Sequence, residues 1–120
     1  MRDERLNDRE RLLRMRTALQ RLRSHLAGRS RKDFLRDGLL SDAVLLQFTV
    51  LGEEVRYLST GMLERHPYPW HQVRAFRNLI AHDYFGVKLE AVWAIITDHL
   101  PELEALVDGM IAAEFPEDAA

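Results

Sequence analysis

The sequence predicts an all-α fold, an up-and-down bundle of four long helices and one short one. Apolar residues recur at spacings of three and four through every long segment. No segment alternates with a period of two, and no Asn-Gly or Asp-Gly turn sits between alternating apolar runs. At 120 residues the chain reads as a single domain, residues 1–120, with a tail from about 115 to 120 expected to fray.

Each element follows in order. Leu12, Met15, Leu19, Leu22 and Leu26 form one helical stripe that stops near Gly28. Ser30 followed by Asp33 resembles a helix start, which makes Arg31 to Arg36 a short helix before a turn at Gly38. Ser41 reads as the N-cap of the central helix, whose apolar positions Val44, Phe48, Leu51, Val55, Leu58 and Met62 continue the rhythm. Gly52 interrupts its interior, at a propensity cost of up to about 1 kcal/mol that close approach of another backbone would offset. Either Glu53 or Glu54 must lie near the buried side. Pro67 and Pro69 end that helix, and Pro69 suits the first turn of the next, which carries Val73, Phe76 and Ile80. That helix is expected to end at or just after residues 82–86. Leu89, Val92, Ile96, Leu100, Leu103, Val107 and Met110 form the last stripe, where Pro101 either kinks one helix or opens another.

The chain has no cysteine, so disulfides, thiolate chemistry and cysteine-based zinc sites are excluded. MRDERLNDRERLLR is too charged for a secretory signal, and no apolar run reaches the ~18 residues of a membrane span. A cytoplasmic, membrane-free protein is expected. Residues 1–37 hold twelve basic and six acidic side chains, whereas residues 88–120 hold one basic and eight acidic. That asymmetry allows a polyanion partner, with the first-helix arginines as its grip, or two solvated ends that pair with each other.

RNLIAHDYFG, residues 77–86, gathers Arg77, Asn78, His82 and Tyr84. By composition an Arg five positions before a His is expected roughly 0.6 times in this chain, so that pair alone carries little. Requiring Asn after the Arg and Tyr two after the His lowers the expectation to roughly a few in ten thousand, so the full pattern is informative. On one straight helix Arg77 and His82 stand about 140° apart. Either the helix ends between them, or two copies of the chain contribute the pair to one site. An imidazole that exchanges protons near neutral pH and a guanidinium that holds phosphoryl oxygens suit RNA cleavage, in which the ribose 2′-hydroxyl is the nucleophile. DNA lacks that hydroxyl. No Ser-His-Asp order, glycine-rich phosphate loop or HExxH competes, and no cofactor or metal is implied.

RNLIAHDY resembles the RX4HXY motif of HepT-like toxins, a branch of the HEPN superfamily of small helical ribonucleases. The likeness extends through SRKDFLRDGLLSDAVLLQFTVLGEEV and HPYPWHQVRAFRNLIAHDYFGVKLEAVWAIITDHLPELEAL, with PW before the motif, HDYFG within it, and VW and LPEL after it. The resemblance implies a metal-independent endoribonuclease that acts as a homodimer, with Arg77 and His82 as the catalytic pair and Asn78 orienting His82. It implies that Tyr84 is the tyrosine to which a cognate MntA-like nucleotidyltransferase antitoxin transfers AMP, as in type VII toxin–antitoxin systems. Gly52 and Glu53 match the Gly-Glu of the family's central helix, with Glu53 in a supporting role, while Glu54 and Val55 depart from the small residues that usually follow.

Bland readings accompany these. Apart from the family, Tyr84 is a helix-end aromatic covering the core, and Asp83 is a solvated turn residue or a partner of Arg77. His66 and His71 flank the prolines without the register of metal ligands. His25 and His99 read as surface or helix-end histidines, and Trp70 and Trp93 as core or interface anchors. The competing function is a non-catalytic adaptor or nucleotide-binding partner of a nucleotidyltransferase, in which Arg77 and His82 hold a phosphate without cutting.

Overall fold

A computed structural model describes residues 3–119. Among them seven α-helices and two 3-10 turns, and no strand, are formed. In chain order these are α1 Glu4–Leu26, α2 Arg31–Arg36, α3 Gly38–Tyr57, α4 Thr60–Arg65, α5 Trp70–His82, a 3-10 turn Tyr84–Gly86, α6 Leu89–Asp98, α7 Leu100–Glu114 and a 3-10 turn Pro116–Asp118. The all-α expectation holds, with a finer division than four long helices and a short one.

The stripes predicted from the sequence are the core. Leu12, Met15, Leu22, Val44, Leu51, Val55, Val107 and Met110 are fully buried, and α3 lies between α1 and α5 at the centre. α7 packs on α1 and α6, and α2 bridges α3 and α6. Trp70 is buried and donates its indole N–H to the His66 carbonyl at 3.0 Å, while Trp93 packs on Phe34. Gly28 follows α1 with φ at 70°, the left-handed conformation in which glycine avoids the Cβ penalty. Ser30 and Asp33 form the expected capping box, each side chain accepting from the other's backbone N–H.

Two expectations are corrected. The central helix starts at Gly38 rather than after Ser41, because Asp37 accepts from the N–H groups of Leu39 and Leu40. Ser41 is buried inside the helix and turns its hydroxyl back to the Gly38 carbonyl. That helix also stops at Tyr57 instead of running through Met62. Buried Asp8 of α1 accepts from the Ser59 N–H at 2.8 Å and its hydroxyl at 2.6 Å, holding the chain out of helix, and Ser59 then caps α4. In the stretch 115–119, expected to fray, Phe115 is buried and Arg9 forks onto Asp118 at 2.7 and 2.8 Å. Residue 120 lies outside the described residues. At Pro101 a new helix opens, with the proline in its first turn where no N–H is needed.

The charge asymmetry resolves in part within the molecule. Arg5 reaches Glu117, Arg9 reaches Asp118, Arg23 reaches Glu104 and Arg65 reaches Glu114. The basic first helix and the acidic carboxyl end are thus partners. Hydrogen bonding to Arg9 holds the Asp118 carboxyl below its ordinary range, and Arg65 does the same to Glu114. Among the described residues no helix is long and apolar enough to cross a membrane.

Candidate functional site

The site begins with a glycine. At Gly52 the absent Cβ lets α5 approach α3: a Cβ there would stand 2.3 Å from Arg77 Cβ and 3.1 Å from the Val73 carbonyl oxygen. The close approach anticipated from the sequence is present, and it delivers Arg77 to Glu53. Arg77 Nε lies 3.2 Å from Glu53 Oε2, yet the N–H is not aligned with that oxygen. Both atoms, shielded from solvent, lack a well-directed hydrogen bond. Nη1 of Arg77 donates to the Asn78 side-chain oxygen at 3.2 Å, and among the described residues Asn78 makes no side-chain hydrogen bond to His82.

Of the two adjacent glutamates, Glu54 is the buried one, paired with Arg11 at 3.1 Å and Arg14 at 3.7 Å across the α1 side. Glu53 faces α5. Gly52, Glu53, Arg56, Arg74, Arg77 and Asn78 enclose a cleft of about 180 Å³. Neither Arg56 nor Arg74 stood out in the sequence. The available signal was helical spacing, since Arg74 is one turn before Arg77 and Arg56 one turn after Glu53.

His82 is the last residue of α5 and is exposed. The helix therefore runs through both Arg77 and His82. Of the two arrangements open to the sequence, a helix ending between them is ruled out, and within one chain the pair stands on different faces, about 140° apart.

Beyond His82 the chain folds into a tight turn. The Asp83 carboxylate accepts from the Gly86 N–H at 3.2 Å, and a Cβ at Gly86 would displace that carboxylate. Asp83 is thus a turn cap and not a partner of Arg77. Tyr84 donates its hydroxyl to Asp42 of α3. Partial burial and that hydrogen bond push the phenol up to about 12, so it is protonated at neutral pH. Its neighbour Phe85 is 99% exposed.

The remaining histidines have structural partners or lie at the surface. His66 Nε2 sits 2.9 Å from Glu114, and His99 Nδ1 sits 2.9 Å from Glu102, which also accepts the Tyr68 hydroxyl. His25 is half-buried near the end of α1, and His71 is exposed. Among the described residues no three His, Asp or Glu side chains are grouped to hold a metal ion.

An all-α bundle in which Gly-Glu of a central helix packs against an Arg-Asn pair, with His and Tyr following at the helix end, is a HEPN-type fold. The profile of the family described as "Ribonuclease HepT-like" matches residues 15–110, and the chain belongs to that family. It is 33% identical over 88 residues to a Caldanaerobacter subterraneus subsp. tengcongensis protein named "Putative RNase TTE0752", covering 72% of this chain and 79% of the relative. A Methanocaldococcus jannaschii protein, "Putative RNase MJ1380", is 27% identical over 63% of this chain and 71% of its own length. "Probable ribonuclease HepT" of Thermococcus cleftensis is 28% identical over 61% and 67%, respectively. No solved structure matches the chain.

Proposed function

We propose that this protein is a metal-independent endoribonuclease, the toxin of a HEPN and nucleotidyltransferase pair, working as a homodimer with Arg77 and His82 at a shared cleft. His82 accepts the proton of a ribose 2′-hydroxyl while that oxygen attacks the neighbouring phosphorus. Arg77 neutralises the phosphoryl oxygens as charge builds on them. The bond to the 5′-oxygen breaks, that oxygen takes the proton back from the imidazolium, and a 2′,3′-cyclic phosphate remains.

The observation that carries the dimeric site is the unbroken course of α5 through both residues. One protomer aims Arg77 at α3, with His82 on another face of α5, which supports a second copy completing the pair. The face for it is at hand. Leu39 and Leu46 are exposed and recur seven residues apart with Glu53, an apolar stripe on α3 that leads to the cleft. A two-fold axis on this stripe would bring one copy's His82 toward the other's Arg77.

Tyr84 is the proposed site of AMP transfer by the nucleotidyltransferase. Its oxygen would displace pyrophosphate from ATP and bond to the α-phosphorus, with Asp42 standing where the phenolic proton leaves. A bulky anion two residues from His82 would then obstruct the cleft.

Mixing tests the shared site. Arg77→Ala and His82→Ala homodimers should each be inactive on RNA in EDTA and remain dimeric. After exchange of subunits, half the dimers are mixed and each contains one intact site, restoring up to about a quarter of the parent rate. No recovery despite demonstrated subunit exchange sinks the shared site. Parent protein that retains RNA yet forms no cyclic-phosphate ends belongs with the non-catalytic adaptors instead.

A further inference from the structure

The cleft between α3 and α5 holds more positive charge than one catalytic cation requires. Three guanidiniums, from Arg56, Arg74 and Arg77, line it with a single carboxylate, Glu53, and the Asn78 amide. Glu53 lies 3.2 Å from Arg77 and 3.7 Å from Arg56, so it is shared between them. Arg74 is exposed and makes no ion pair or hydrogen bond among the described residues. One negative charge among three positive ones leaves the cleft cationic, and like charges this close are costly without an anion among them.

Several arginines elsewhere have acids of their own. Arg9, Arg11, Arg14 and Arg23 of α1, the expected grip on RNA, are paired with Asp118, Glu54, Glu10 and Glu104. The α3–α5 cleft is different. Its guanidiniums converge from two helices, and its volume of about 180 Å³ equals that of roughly six liquid waters, enough for a phosphodiester group. Planar forks from two sides match phosphoryl oxygens. The misaligned pair at its floor, Arg77 Nε and Glu53 Oε2, is a further sign that this guanidinium is not fully satisfied by protein alone.

We propose that Arg74 and Arg56 form, beside Arg77, a subsite for the phosphodiester that neighbours the scissile one in single-stranded RNA. Arg74 precedes Arg77 by one turn of α5, about 4.5 Å along its axis, so a strand laid along the helix meets Arg77 and then Arg74. Arg56 closes the subsite from α3. The identity of the anion as RNA rests on the ribonuclease reading; the anion site itself rests on the charge in the cleft.

The test uses the full chain and a 2′-O-methyl octanucleotide, which cannot be cleaved, with binding measured at several salt concentrations. Arg74→Gln and Arg56→Gln should each weaken binding about tenfold and lower the salt slope by about 0.7, the loss of one single-strand phosphate contact. Arg23→Gln, whose guanidinium is engaged by Glu104, should change neither. Unaltered affinity and slope in Arg74→Gln, with unchanged thermal melting, would overturn the subsite. AMP or inorganic phosphate competing as strongly as the octanucleotide would overturn its assignment to RNA. Because the probe is uncleavable, the subsite can pass this test even when the parent cuts no RNA, which would refute only the catalytic reading.

Discussion

Replacing Gly52 by alanine separates helix propensity from interhelical packing. The new Cβ would lie 2.3 Å from Arg77 Cβ, 3.0 Å from Arg77 Cγ and 3.1 Å from the Val73 carbonyl. Carbon atoms rest about 3.5–4.0 Å apart, and Arg77 Cβ is fixed to its helix, so α5 must retreat by on the order of 1 Å. Alanine gains up to about 1 kcal/mol in helix propensity, and overpacking costs about 1–3 kcal/mol, leaving a net loss on the order of 1 kcal/mol. The effect on cleavage should be larger. A catalytic group displaced by about 1 Å loses on the order of a hundredfold in rate. The assay pairs initial rates on a fluorescent RNA with urea midpoints. Gly109→Ala in α7 is the matched control: no atom lies within 4 Å of its Cβ, so propensity alone should stabilise it by up to about 1 kcal/mol. If Gly52→Ala raises the midpoint as Gly109→Ala does and cuts at the parent rate, the close approach does not set the position of Arg77.

Asp8→Ala strands the Ser59 N–H and hydroxyl at the α3–α4 junction, and denaturation should register a loss of about 2–3 kcal/mol. Tyr84 and Tyr68 both have folded-state values raised from 10.0 to about 12, so the fold holds more protons than the unfolded chain between those limits. Their stabilising contribution is complete below pH 10 and fades as pH rises toward 12; ultraviolet titration should show two late phenols, and Tyr84→Phe should remove one. Glu114 and Asp118 are shifted the other way by Arg65 and Arg9. Their contribution is present above the ordinary carboxylate range and lost as pH falls below it, and Asp118→Asn should flatten the acid limb of the stability curve while releasing residues 115–119 to proteolysis.

The helices were legible because burial of an apolar stripe imposes a local period, and Leu12 through Leu26 or Val44 through Val55 carry it without reference to distant residues. What stopped the helices was less legible. Asp8 continues the stripe of Leu12, Met15 and Leu19, a polar residue in a buried register, and only its partner across 51 residues explains why α3 ends at Tyr57. The tail is similar, since Asp118 is held by Arg9, 109 residues away. Asp37 outcompeted Ser41 as the cap because it stands directly before the helix and reaches two free N–H groups.

The candidate site divides along the same line. Sequence by itself determined the helical class, the family, and the residues of the Arg77–Tyr84 motif, for these are matters of local spacing and residue chemistry. Tertiary structure decided that α5 is unbroken between Arg77 and His82, that Glu53 rather than Glu54 faces Arg77, and that Arg56 and Arg74 share its cleft. It also tied Tyr84 to Asp42 and turned most first-helix arginines toward the acidic end. Those are relations between helices far apart in the chain. They depend on how closely two backbones approach, which no spacing along a single helix encodes.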